Sequence, residues 1–133
     1  MKIFFASQSF YPHIGGVSTY LLNLAKGLVQ RGNDVIEVHL RLPDEPVEEI
    51  IKEIKVFRIP KEPMKEELLK GYSNFKERIY KECHGEGELF KKEPLITYGY
   101  DEYNQINLSI GRQIEELLEK HPTEIVHIHD FQL

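Results

Sequence analysis

Two stretches hold residue types that can do chemistry together. Near the amino terminus, Tyr11-Pro12-His13-Ile14-Gly15-Gly16-Val17-Ser18 sets paired glycines between a short apolar run and a long amphipathic pattern. Near the other end, Glu124-Ile125-Val126-His127-Ile128-His129-Asp130 sets two histidines and an aspartate in an otherwise apolar segment. The free N–H groups of a helix's first turn, with the helix dipole behind them, favour an anion. Glycines let a ligand approach backbone that a Cβ would shield. Gly15-Gly16 also reads as a plain tight turn. It is neither a Gly-x-Gly-x-x-Gly fingerprint nor a P-loop, since no Gly-Lys-Ser/Thr follows. His13 reads equally as a ligand contact or a loop residue, and Ser18 and Asp130 as supporting groups.

His127 and His129 alternate onto one face of a strand. Asp130 faces the other way and no third ligand has recognisable spacing, which disfavours a metal there. No Asp-x-Asp pair is present to hold a divalent ion on a diphosphate. A better reading puts His129 at the carboxyl end of a central parallel strand, the edge where open α/β sheets bind ligands. The glycine loop also follows a strand and so belongs to the same edge. His127, deeper in the strand, reads as a hydrogen-bonded core residue; His39 and His121 read as structural or exposed.

The elements that must position these residues are mostly legible. Ile3-Phe4-Phe5-Ala6 is apolar without alternation, the mark of a strand covered on both faces. Val17, Tyr20, Leu21, Leu24, Ala25, Leu28 and Val29 trace one face of a helix running to about Gln30, with Gly32 just past its end. Asp34 to Leu40 alternates with one strongly apolar face, which predicts a strand nearer an edge than the first. Ile54 to Ile59 predicts another strand, closed by Pro60. Met64, Leu68, Tyr72, Phe75, Ile79 and Cys83 fit a helix face that Gly71 weakens and Gly85 and Gly87 end. Leu95 to Tyr100 reads as a short strand or an aromatic loop. Ile106, Ile110, Ile114, Leu117 and Leu118 predict a helix ended by His121-Pro122, before a last strand over 124–129. The sum is an α/β, Rossmann-like parallel sheet flanked by helices.

At 133 residues the chain reads as one domain with room for a real core. A net charge of −5 gives no electrostatic reason to expect nucleic acid or a membrane surface. The single cysteine, Cys83, excludes an intrachain disulfide framework and suits a reducing cytoplasm. The apolar run at the amino terminus is too short for a signal or a membrane span.

The stretch Pro12-x-x-Gly15-Gly16, the long helix and its ending Gln30-Arg31-Gly32-Asn33-Asp34-Val35 resemble the start of family 4 retaining glycosyltransferases of the GT-B fold. Glu124 to Asp130 resembles that family's His-x-His-Asp element, also seen in glycogen and starch synthases. The match anchors both ends of the chain and leaves 61–103 without a family motif. The resemblance implies transfer of a sugar, with retention, from a nucleotide-sugar donor to a carbohydrate or other hydroxyl acceptor, with no metal or other cofactor. It implies that Gly15, Gly16 and His13 face the donor's phosphates and sugar, and that His129 stands near the reaction centre. Glycogen synthases carry a lysine where His13 stands, so the resemblance is to the broader family. The family's second Rossmann-like domain, with its basic residues and Glu-x7-Glu element, has no counterpart in this sequence. The chain is therefore expected to be an amino-terminal, acceptor-side portion with little activity unless a carboxyl-terminal domain completes it in cis or in trans. The alternatives are a non-catalytic α/β binding or partner subunit, and a phosphate-ligand binder unrelated to sugars.

Overall fold

Among the described residues, five strands form one sheet in the order β3-β4-β2-β1-β5. In a computed structural model that describes residues 1–42, 44–85 and 94–129, they are β1 (Lys2–Ser7), β2 (Asp34–Leu40), β3 (Glu48–Ile51), β4 (Ile54–Ile59) and β5 (Ile125–Ile128). The helices are α1 (Gly16–Gln30), α2 (Glu66–Cys83) and α3 (Tyr100–Lys120), with a 3-10 turn at Leu95–Tyr98. The chain packs as two compact units, 1–62 with 113–133, and 63–112, so α3 contributes to both.

The sheet belongs to the first unit. β1 pairs in parallel with β2 on one side and β5 on the other, and β2 pairs in parallel with β4; only β3 runs antiparallel. The apolar run of β1 is buried throughout from Ile3 to Ser7, as its lack of alternation predicts. One face of the sheet, Ile3, Phe5, Val35, Ile54 and Val56, packs with Leu21, Leu22 and Ala25 of α1. The helix stops in a Schellman motif: Gly32 N–H donates to the Val29 carbonyl at 2.9 Å and Asn33 N–H to that of Leu28 at 3.1 Å. Gly32 takes the left-handed φ of 78° that this closure requires.

Three expectations need correction. β2 is not near an edge but lies between β1 and β4, and both its faces are buried. Its apparently solvated face, Glu37 and His39, is sealed inside. β5 is not central but lies at the sheet's edge, exposed along its length, and His127 is accordingly not a core residue; its ring meets the Phe5 ring edge-on at 5.4 Å. A hairpin adds β3, which the pattern did not predict. Its two-residue turn, Lys52-Glu53, has both φ angles positive, the twist that tight hairpins favour.

In the second unit Tyr103 stacks on Tyr72 at 5.7 Å and lies 5.0 Å from Phe75. Gly71 sits inside α2 because a Cβ there would strike the Glu102 side chain, and a Cβ on Gly99 would strike the Gly71 backbone. The stretch 95–98, open between strand and loop, is the 3-10 turn. Gly85 closes α2 with φ 71°; Gly87 lies outside the described residues. Among the described residues no helix is long and apolar enough to cross a membrane.

Candidate functional site

The glycine loop and the histidine segment both reach the carboxyl rim of the sheet, on adjacent strands. β1 feeds the loop that ends at Gly15, whose carbonyl accepts the first helical bond, from Thr19 N–H at 3.0 Å. Gly15 is extended, with φ 172° and ψ 162°, a conformation any residue adopts. Among the described residues, a Cβ on Gly15 or Gly16 would meet nothing within 4 Å. The fold around them therefore gives no steric reason for either glycine. Neither a capping side chain nor an acidic residue occupies the first turn of α1 among the described residues. Leading N–H groups of a helix without such partners suit an anion.

His129 continues the line of β5 past its last paired residue. Its N–H donates to the Ala6 carbonyl at 2.8 Å, which brings it level with Ser7. Its ring stacks on Tyr20, in the second turn of α1, with centroids 5.3 Å apart and planes at 22°. The imidazole is thus held between the end of β5 and the start of α1. Asp130 lies outside the described residues. Ser18 is buried with its Oγ 3.0 Å from Ser9 Oγ, so its hydroxyl ties the loop to the helix.

Further along the same rim, on β2 and β4, lies a group of residues that sequence reasoning did not single out. Register puts Ser7 beside His39 and His39 beside Arg58. All three side chains, and that of Glu37, are essentially inaccessible. Burial holds the Glu37 carboxyl well above the usual carboxylate range, against the lowering effect of its contact with Ser7. That contact is 2.6 Å, while Ser7 Oγ also donates to the Ser9 carbonyl at 3.0 Å. A serine has one proton to give, so its hydroxyl donates to one of these two acceptors at a time.

Arg58 is the centre of charge. Nη1 donates to the Pro46 carbonyl at 3.2 Å, Nη2 pairs with Glu49, and Nε lies 3.6 Å from Glu45 Oε2. Glu45 Oε1 in turn meets His13 Nε2 at 2.9 Å. His13 is therefore tied to the loop after β2. Burial, then the charge of Arg58, then His13, push His39 down to about 3, so its ring is neutral. The available signal was three polar side chains, Glu37, His39 and Arg58, alternating with apolar ones in two strands. Their partners, Ser7, Glu45 and Glu49, come from elsewhere in the chain.

In the second unit a concavity of about 220 Å³ is lined by Asn74, Glu77, Arg78, Lys81, Thr97 and Tyr98. Lys81 is held by Glu77 at 2.7 Å and Arg78 lies over the Tyr98 ring, so its cations are engaged within the unit. Compared with known proteins, the chain matches no family model, no curated protein and no solved structure. Strand order and register make the fold α/β with a mostly parallel, Rossmann-like sheet.

Proposed function

We propose that this chain is the amino-terminal part of a retaining glycosyltransferase that takes a sugar from a nucleotide-sugar donor. The observation that carries the reading is the meeting of an open glycine backbone and a held imidazole on one rim, from opposite ends of the sequence. The motif resemblance supplies the reaction. The departing diphosphate gains charge while the sugar becomes oxocarbenium-like. Fixed N–H dipoles of the first turn of α1 stabilise that charge without reorganising. Gly15 and Gly16 keep the approach clear, and His129 stands beside the reacting sugar. His13, engaged by Glu45, orients the glycine loop rather than the donor directly. A second Rossmann-like half, in cis or in trans, supplies most of the nucleotide site. Ile125, Val126 and Ile128 of β5, exposed here, offer apolar surface for further structure to cover.

The test uses the protein together with its second half and measures sugar transfer beside thermal unfolding. Gly15→Ala should leave stability within about 0.5 kcal/mol, since nothing among the described residues opposes the new methyl. It should still lower turnover by about tenfold or more. His129→Ala should lower turnover by about 100-fold, or about 2.7 kcal/mol, with a smaller loss of stability. Full turnover in both variants, or a collapse of stability with His129→Ala, would overturn the reading.

A further inference from the structure

We infer that His13, His39 and Glu45 form a binding site for a single zinc-like divalent ion that pins the glycine loop to β2 and to the loop after it. This goes beyond the proposed transfer reaction and does not depend on it. The three residues each present one ligand atom, and these atoms all lie within 4.8 Å of one another. Two imidazoles and a carboxylate are the donors that a borderline transition ion prefers.

His39 carries the inference. Its ring is 1% exposed, and neither Nδ1 nor Nε2 has a hydrogen-bond partner among the described residues. A buried polar group with no partner is uncommon and calls for an explanation. The rings around it, Phe10 at 6.1 Å and His13 at 6.0 Å, are contacts of packing rather than of hydrogen bonding. An ion shared with His13 and Glu45 gives one nitrogen the partner it lacks.

Glu45 is set up as a ligand from behind. Its Oε2 accepts the Leu42 N–H at 2.8 Å and faces Arg58 Nε, which leaves Oε1 turned toward His13. Support of this kind behind a ligating carboxylate is the usual second layer of a metal site. Arg58 opposes a cation, but Glu45 and Glu49 both face it, so Arg58, Glu45 and Glu49 together carry one net negative charge. Ligand atoms of a tetrahedral ion lie about 3.3 Å apart. His13 Nε2 and Glu45 Oε1, at 2.9 Å, are already near that spacing. The His13 side chain, 26% exposed and on a loop, has the freedom to complete the approach to His39. The site joins three segments distant in sequence, so an ion there stabilises by binding the folded state alone.

The test is titration of the chelator-treated chain with Zn²⁺ by calorimetry, with Co²⁺ absorption as a second probe and the unfolding midpoint followed in parallel. The expected result is one saturable site and a midpoint that rises with Zn²⁺. His13→Gln and Glu45→Gln should each weaken Zn²⁺ binding at least tenfold, and His127→Gln should change it less than twofold. If Glu45→Gln fails to fold, His13→Gln decides alone, because its side chain lies partly in solvent. No saturable binding, an affinity that His13→Gln leaves unchanged, or one lost with His127→Gln would overturn the site.

Discussion

Along one rim of one sheet, two neighbouring regions treat polar groups in opposite ways. Beside β1 and β5 the polar groups are mostly backbone, and they face water: Gly15 and Gly16 are exposed and the first turn of α1 is uncapped. Beside β2 and β4 they are side chains, sealed away: Glu37, His39 and Arg58 are each no more than 1% exposed. The sheet edge alone does not decide which arrangement appears. The difference lies in the segment that each strand leads into. β1 runs through glycines into a helix start, whereas the loop after β2 brings Glu45 and Pro46 over the rim. Open dipoles suit a ligand that comes and goes, while sealed ionic groups hold loops in place at the risk of stranded charge.

The largest expected effect tests the sealed side. Arg58→Met removes the cation that faces Glu45 and Glu49 and leaves both carboxylates without it. Deleting one partner of a buried pair costs about 3 kcal/mol, at the low end of the usual range because both carboxylates keep some contact with water. Denaturant unfolding measures it. A loss below about 1 kcal/mol would mean that the network behaves as a solvated ion pair, and the contrast between the two sides would disappear.

A pH series sharpens the same contrast, measured with a chelator present. The native state holds a proton on Glu37 that the unfolded chain releases above its ordinary value of 4.5, so this group's contribution is full below 4.5 and is lost as pH rises toward its native pKa. His39 works the other way. Its native value near 3 lies below its ordinary 6.5, so its contribution is full above 6.5 and is lost as pH falls toward 3. The two slopes, each at most about 1.4 kcal/mol per pH unit, oppose one another above 4.5. Glu37→Gln keeps the contact with Ser7 and should expose the His39 slope, so that stability climbs with pH up to about 6.5 and then levels. A variant whose pH profile matches that of the unaltered chain would show that Glu37 is ionised in the folded state.

How much of this arrangement the sequence could disclose depends on range. β1 and α1 were legible because their signals are local: an unbroken apolar run, a one-sided helical spacing, a glycine at the end. β3 was not, because its turn, Lys52-Glu53, reaches positive φ without the Asn-Gly or Asp-Gly pair that advertises it. β2 reads as nearer an edge than it is because Glu37 and His39 look like a wet face. What lies beside them, Ser7 against Glu37 and Arg58 level with His39, comes from neighbouring strands. The edge position of β5 depends on which strands flank it, and its apolar composition does not encode that. For the candidate site, both ends of the open side were readable as motifs. The sealed side was not, since each of its contacts joins residues that local patterns never compare.

The smallest expected effect concerns the link between the two sides. A chain of contacts runs from Glu37 to Ser7 Oγ, from Ser7 Oγ to the Ser9 carbonyl, and from Ser9 Oγ to Ser18 Oγ at the start of α1. Ser18 can therefore be a tether or a ligand contact, and Ser18→Ala separates the two. As a tether, its loss leaves the Ser9 hydroxyl without its partner, at about 1 kcal/mol, partly offset by about 0.5 kcal/mol of better helix propensity. Stability then falls by about 0.5 kcal/mol while turnover changes less than twofold. As a ligand contact, its loss reduces turnover by about tenfold with stability unchanged. The buried hydroxyl, turned toward Ser9 rather than toward the rim, favours the first outcome. The second would extend the open side beneath the first turn of the helix, and sealed and open groups would then meet at Ser18.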